Sequence, residues 1–324
     1  MLTPEQAIDE LYHAKIVDND SEEVEVDRSR FFQQLSEGFR NGVFDLSYCQ
    51  AGMNVLARIP KFFRLFPHIR TFQIYSNLFR DNGLSKLHEI LELCEQTTSL
   101  DIGCNDLTDA SLMTLIDILK HTNITSLQLG SRDKTLQQNR LTKESLISLI
   151  NAIIPLNKIE CFGISGIPIA RHKKKSLTQE FPKYLSKLIS SCPKLKTLDI
   201  SYCGLSNNDQ IDISNGFRSN KSLRILNISH NNFPHRTKVF DGITTLDHLV
   251  SLNLSACMIS EHSCDVLSKR FTKGWNLIIL NISNNPIGTS GVSKLFKALS
   301  NNNTLVSLNV AKTGIDYGLY KEFH

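Results

Sequence analysis

The feature that most constrains this chain of 324 residues is an apolar motif that recurs about every 28 residues. In its clearest form, apolar residues occupy positions one, four, six and eleven, and Asn, Cys or Thr occupies position nine. Copies that begin at Leu195, Leu223, Leu249, Leu277 and Leu305 all have this form. A chain that repeats one unit many times folds as an array, because each unit packs mainly on its neighbours. The motif therefore predicts a repeat protein.

Five weaker copies extend the array towards the N-terminus. Intervals of 26 to 28 residues separate consecutive copies, except for intervals of 35 and 36 residues on either side of the fifth copy. The sequence thus predicts about ten repeats, whose residues at position six are Leu46, Ile74, Ile102, Leu129, Ile164, Ile200, Ile228, Leu254, Ile282 and Val310.

The segments between the copies have helical periodicity. Leu112, Leu115, Ile116 and Leu119, for example, are spaced i, i+3, i+4 and i+7. The motif is similar to the leucine-rich repeat, and its long period resembles the ribonuclease inhibitor-like subclass. Ran GTPase-activating protein, tropomodulin and the sensor domains of NOD-like receptors belong to that subclass. The resemblance covers residues 41–316 and implies an α/β solenoid, a right-handed horseshoe with a parallel sheet on its concave face and helices on its convex face.

One repeat alone buries too little apolar surface to offset the entropy of ordering it. A terminal repeat lacks one neighbour, so it needs a capping segment that covers its exposed apolar face. We predict a helical N-terminal cap over residues 1–40, with one helix near residues 4–15 and a second through Phe31 and Phe39. The repeats then occupy residues 41–316. Residues 317–324, with Tyr317, Tyr320 and Phe323, are predicted to form a short C-terminal lid.

The net charge of +4 conceals an asymmetry. Residues 1–30 contain nine acidic and three basic residues, a net of −6, so the rest of the chain carries +10. A mildly basic body favours acidic partners, but this charge is far below that of a dedicated nucleic-acid binder.

The sequence contains no catalytic or metal-binding motif. Its eight cysteines form no C-x-x-C pair, and Cys49, Cys203 and Cys257 fall at position nine, where a side chain satisfies backbone groups. Reduced thiols in the cytoplasm fit this pattern best. No P-loop or G-x-S-x-G motif occurs, and no apolar run approaches the length of about 18 residues that spans a membrane. We therefore expect no enzyme activity, no cofactor, no metal, no small-molecule substrate and no membrane contact.

Two surfaces are candidates for a partner. Side chains at positions three, five and seven should point outward from the sheet, but in the C-terminal half they are mostly Asn and Ser, which are poor binding anchors. The long fourth and fifth repeats and part of the seventh instead predict basic loops that share one edge. The candidate binding residues on that edge are Arg132, Lys134, Arg171, His172, Lys173, Lys174, Lys175, His235 and Arg236.

These observations predict a cytoplasmic scaffold that binds another protein with an acidic surface. Cytoskeletal or ciliary assembly is the setting we expect, because related repeats occur there. The resemblance leaves open a second function, regulation of a small GTPase. A third, nucleic-acid binding through the basic edge, is disfavoured because no aromatic residue is interleaved with Lys173, Lys174 and Lys175.

Overall fold

The computed structural model describes residues 3–131, 133, 135–169, 180–206, 209–234, 238–316 and 318. Two compact units are distinguished, Met1–Cys161 and Phe162–His324. Strands and helices alternate along the chain, the strand pairs of the described residues are parallel, and the strands are ordered β1 to β10 as in the sequence. The predicted α/β leucine-rich repeat architecture is therefore confirmed.

Unit one begins with two helices and continues with alternating strands and helices. Facing residues of its strands are in register, since Phe44 pairs with Phe72, Phe72 with Leu100, and Leu100 with Leu127. A 3-10 turn at Asp109–Ser111 precedes the fifth helix. The elements are α1 (Pro4–Asn19), α2 (Glu25–Arg40), β1 (Val43–Asp45), α3 (Met53–Leu65), β2 (Thr71–Gln73), α4 (Arg80–Glu92), β3 (Ser99–Asp101), α5 (Leu112–His121), β4 (Ser126–Gln128) and α6 (Lys143–Leu156).

The strand β5 (Cys161–Gly163) lies at the boundary, and unit two follows the same plan. Leu198, Leu226, Leu252, Leu280 and Leu308 occupy successive strands in register, as the repeat predicts. The elements of unit two are α7 (Phe181–Ser191), β6 (Thr197–Asp199), α8 (Gln210–Ser219), β7 (Ile225–Asn227), α9 (Val239–Ile243), β8 (Ser251–Asn253), α10 (Glu261–Thr272), β9 (Ile279–Asn281), α11 (Gly288–Leu299) and β10 (Ser307–Asn309).

The middle residues of β1 to β9 are buried and build the core. Leu198, Leu226, Leu252 and Leu280 are all at most 1% exposed, and each such side chain contributes roughly 1.5–3 kcal/mol when fully buried. The flanking residues of most strands are half-buried or exposed, so they lie on the opposite side. We call that side the open face of each unit.

The side chain at position nine stabilises the turn after most strands. The Asn231 amide donates to the carbonyls of Ile200 and Ile228, both at 2.9 Å, and its oxygen accepts from the Leu205 N–H at 3.0 Å. Cys203 and Cys257 use the same position differently, because each thiol donates to a backbone carbonyl of the preceding repeat, at 3.3 and 3.2 Å. Buried backbone groups need such partners.

The fourth repeat is interrupted after Gly130. Counting along the motif places Arg132 at position nine, but the next Asn-x-Leu of the sequence begins seven residues later at Asn139, and Asn139 performs the role of that position. Its amide donates to the carbonyls of Ile102 and Leu129, and its oxygen accepts from the Asn105 and Leu107 N–H groups at 3.0 Å. The insertion therefore lies between the strand and the position-nine residue.

Candidate functional site

The sequence-predicted binding edge falls on parts of the chain that the structure does not describe. Its members, Arg132, Lys134, Arg171, His172, Lys173, Lys174, Lys175, His235 and Arg236, all lie outside the described residues. The edge therefore stays a prediction, and the candidate site below is built from described side chains.

Two tyrosines stand on the open face of unit one. Tyr48 is 63% exposed, and its ring meets the Tyr75 ring edge-on, with the centroids 5.1 Å apart. The Tyr75 hydroxyl is hydrogen-bonded to the Ser131 hydroxyl in the fourth repeat. Two neighbouring aromatic rings with solvent access form a large, rigid contact surface.

The backbone fixes the position of Tyr48. This residue occupies position eight of its repeat and has a φ of 61°, in the left-handed region. Its N–H donates to the Tyr75 carbonyl at 3.0 Å, which ties the turn to the next repeat. Position eight is left-handed in other repeats too, at Tyr202, His230 and Ala256. The turn that follows each strand thus sets the direction of this side chain.

A glycine makes room for the Tyr75 ring. A Cβ atom on Gly103 would lie 2.9 Å from Cδ2 of Tyr75 and 2.8 Å from the Gly130 carbonyl oxygen, closer than real Cβ contacts. Gly103 and Gly130 both occupy position seven, where most repeats of unit two have Ser. The absence of side chains there allows the ring to reach across repeat three towards Ser131.

Two carboxylates lie beside the tyrosines at position five. Burial raises the pKa of Asp101 to about 6, while the Gly103 N–H, which donates at 3.0 Å, opposes the shift and the Asp45 carboxylate adds to it. Positions three, five and seven of β1–β4 contain no Lys or Arg. We call Tyr48, Tyr75, Asp45 and Asp101 the tyrosine patch.

On the open face of unit two, the Asn side chains at position five form hydrogen bonds with the backbone of their own repeats. Asn227, Asn253 and Asn281 at position five each accept the N–H of the residue two places on, at 3.0–3.2 Å. The Asn227 amide also donates to Asp199 at 2.9 Å. These contacts indicate that the Asn residues at position five stabilise the repeat rather than serve as binding anchors.

The positions considered in the sequence include Asp45, Asp101 and Tyr75 at positions five and seven but not Tyr48, so the pairing of the two tyrosines was missed. Tyr48 lies at position eight, as do Tyr202 and His230 of unit two, whose rings stack 3.8 Å apart. An aromatic residue at a position that requires the left-handed region is uncommon. A tyrosine at position eight was therefore the feature of the sequence that could have indicated this site.

The described residues offer no other obvious chemistry. Over these residues, no cluster of three or more His, Cys, Asp or Glu is arranged to hold a metal ion, and no helix is both long and apolar enough to cross a membrane. All eight cysteines are free. Burial raises the pKa of Cys257 to about 12 and that of Cys203 well above the usual value, so neither thiol is a nucleophile at neutral pH.

Comparisons with known proteins agree with this architecture. A leucine-rich repeat family model matches residues 98–115, 191–209, 219–233 and 276–296. This chain is a leucine-rich repeat protein, and its homologues and its period show that it is of the ribonuclease inhibitor-like type.

Two mouse proteins are among its relatives. NACHT, LRR and PYD domains-containing protein 4B is 34% identical over 126 residues, which is 38% of this chain and 15% of that protein. Ribonuclease inhibitor is 30% identical over 122 residues, which is 37% of this chain and 26% of that protein. The chain thus covers about a quarter or less of the length of either relative. An internalin from Listeria monocytogenes aligns with 83% of this chain and 67% of its own, at 16% identity and a TM-score of 0.47.

Proposed function

We propose that this protein is a non-enzymatic scaffold that binds another protein through the tyrosine patch of unit one. The observation that carries the proposal is the pair of adjacent tyrosines, Tyr48 and Tyr75, held in fixed positions on the open face. Tyrosine is enriched among the residues that dominate binding energy at interfaces. Rings that are already immobilised lose little conformational entropy on binding.

The charges of the patch indicate the chemistry of the partner. Asp45 and Asp101 lie on a surface whose positions three, five and seven lack a basic residue, and burial already disfavours the charged form of Asp101. A Lys or Arg side chain of a partner would satisfy these carboxylates and pack over a tyrosine ring. We propose a basic segment as the partner of the tyrosine patch.

A second contact is proposed at the loop edge predicted from the sequence. If Arg171, Lys173, Lys174 and Lys175 lie on one edge, as the sequence predicts, their charge would suit an acidic partner. This proposal rests on the sequence alone.

The setting we propose is a reducing compartment, the cytoplasm. The Cys203 and Cys257 thiols donate hydrogen bonds to backbone carbonyls at position nine, a role that a disulfide sulfur cannot fill. A function in cytoskeletal or ciliary assembly is proposed from the resemblance to tropomodulin.

Affinity capture with matched variants tests the proposal. We would compare the full chain with Tyr48→Ala and with Tyr202→Ala, which removes a tyrosine at the same repeat position in unit two. Proteins captured from native extract would be identified by mass spectrometry, and the affinity of the main partner measured with purified protein. We expect Tyr48→Ala to weaken binding about tenfold or more and Tyr202→Ala to leave it unchanged. Equal binding by Tyr48→Ala and the unmodified chain would refute the proposal.

A further inference from the structure

The helical side of unit two contains a cleft with an excess of positive charge. Its volume is about 640 Å³, and residues around the end of α8, α9 and α10 line it. We call it the basic cleft. Its charged residues are Lys221, Asp241, Asp247, Lys269, Arg270 and Lys273.

The carboxylates of the basic cleft already have partners. Asp247 pairs with Arg270 at 2.7 Å, and Asp241 pairs with Arg218 at 3.7 Å. Arg270 also donates to the Gly274 carbonyl at 2.9 Å and lies over the Trp275 ring, so it stabilises the end of α10. Its role is structural.

Three lysines of the cleft remain available. Lys221, Lys269 and Lys273 are exposed and form no ion pair with any described residue. Cations near helix C-termini are favourable by about 0.3–1 kcal/mol each, which accounts for Lys269 in the last turn of α10. That effect does not explain why three unpaired lysines surround one cleft, and their mutual repulsion favours a negatively charged occupant.

A segment of the same chain has the complementary charge. Residues 20–27, between α1 and the first turn of α2, are all exposed, and we call them the acidic link. Glu23 pairs with His13 at 2.6 Å. The carboxylates of Asp20, Glu22 and Asp27 form no ion pair or hydrogen bond within the described part of the chain, so the acidic link has three unpaired carboxylates.

The acidic link is held in a fixed shape. The hydroxyl of buried Tyr12 donates to the Val24 carbonyl at 3.1 Å and accepts from the Val24 N–H at 3.3 Å. Val24 and Val26 are 49% and 58% exposed, which adds apolar surface to the charges. A segment that is already ordered loses little entropy when it docks.

We propose that the acidic link of one copy of this chain docks in the basic cleft of a second copy. Each copy then presents one unused link and one unused cleft, so association is head-to-tail and further copies can add. The contact is independent of the tyrosine patch. Because the lysines are exposed, it should weaken as salt screens the charges.

Sedimentation velocity of the full chain tests the proposal. We expect the average sedimentation coefficient to rise as the protein concentration increases from about 1 to about 100 µM at low salt, and the rise to disappear in about 500 mM salt. The combined variant Lys221→Glu, Lys269→Glu, Lys273→Glu should weaken association at least about tenfold. A control with Lys120→Glu, Lys183→Glu and Lys187→Glu, which are equally exposed, should associate like the unmodified chain.

A charge exchange identifies the occupant. Asp20→Lys, Glu22→Lys and Asp27→Lys together should abolish association, and mixing that variant with the cleft variant should restore it. Circular dichroism melting verifies that each variant is folded. A chain that stays monomeric at low salt overturns the proposal. Failure of the mixture to associate, or binding of the cleft only to an added polyglutamate peptide, shows that the acidic link is not the occupant and overturns it equally.

Discussion

The open faces of the two units carry different side chains on the same backbone frame. At position five, Asn253 and Asn281 of unit two and Asp45 and Asp101 of unit one all accept the N–H of the residue two places on. Unit one differs because Asp45 and Asp101 are carboxylates rather than neutral amides and because Tyr48 presents an exposed ring. A repeat frame therefore constrains the backbone strictly and its outward side chains loosely, so a binding surface can occupy a few repeats without altering the others.

The largest expected effect concerns the buried asparagine at position nine, which both units use to join neighbouring repeats. Asn105→Ala in unit one and Asn231→Ala in unit two each remove a buried amide that bridges neighbouring repeats. We expect each to lower the free energy of unfolding by about 2–4 kcal/mol, because several backbone groups lose their partner at once. Urea denaturation measures both. Unequal losses, with one near zero, would show that the units do not share this support.

The second prediction concerns the space beneath Tyr75. Gly103→Ala places a methyl group within 3 Å of the Tyr75 ring and the Gly130 carbonyl, and we expect it to cost about 1–3 kcal/mol of stability. Ser255→Ala, at the same position in unit two, is the control and should change stability by less than about 0.5 kcal/mol. Urea denaturation compares them. If Gly103→Ala left the free energy of unfolding unchanged, the position of the Tyr75 ring would not require a glycine at residue 103.

The third prediction uses the titration of Asp101. Its pKa of about 6 in the folded chain lies above the ordinary value, so the folded state holds the proton more tightly than the unfolded state. The contribution of Asp101 to the free energy of unfolding should therefore decrease as pH rises from about 4 to about 6. Asp101→Asn should abolish this decrease and raise the free energy of unfolding at neutral pH by about 1–2 kcal/mol. Denaturation curves across this range check it, and parallel curves for both proteins would contradict it.

The smallest expected effect concerns the open face of unit two. Asn281→Ala removes one acceptor for the Ser283 N–H, and we expect a loss below about 1 kcal/mol because the site is partly open to water. Binding of the partner captured through the tyrosine patch should not change, as titration of the purified proteins would show. A large loss of binding would place the contact surface in unit two instead.

Much of the fold follows from the sequence because the repeat leaves little geometric freedom. Leu198, Leu226, Leu252 and Leu280 occur at a constant motif position, and stacked strands must bring such residues into register. The sequence also indicates where the fourth repeat resumes, because its next Asn-x-Leu begins at Asn139, seven residues late. The hydrogen bonds of Asn139 to Ile102 and Leu129 show that it closes the repeat.

The site was less predictable than the fold. The direction of the Tyr48 side chain depends on a left-handed backbone at position eight, which a pattern of apolar residues does not encode. The basic cleft also depends on pairings that no short motif reveals, such as Asp247 with Arg270. Which lysines are left without a partner is known only after these pairs are assigned.

The bridging amide of Asn139 has a practical consequence for engineering. The fourth repeat has extra residues between its strand and Asn139, and the chain rejoins the stack where Asn139 bonds to Ile102 and Leu129. The length of this insertion is therefore uncoupled from the spacing of the strands. Foreign peptides grafted ahead of Gln138 should be displayed without disturbing the scaffold, provided that the closing asparagine is retained.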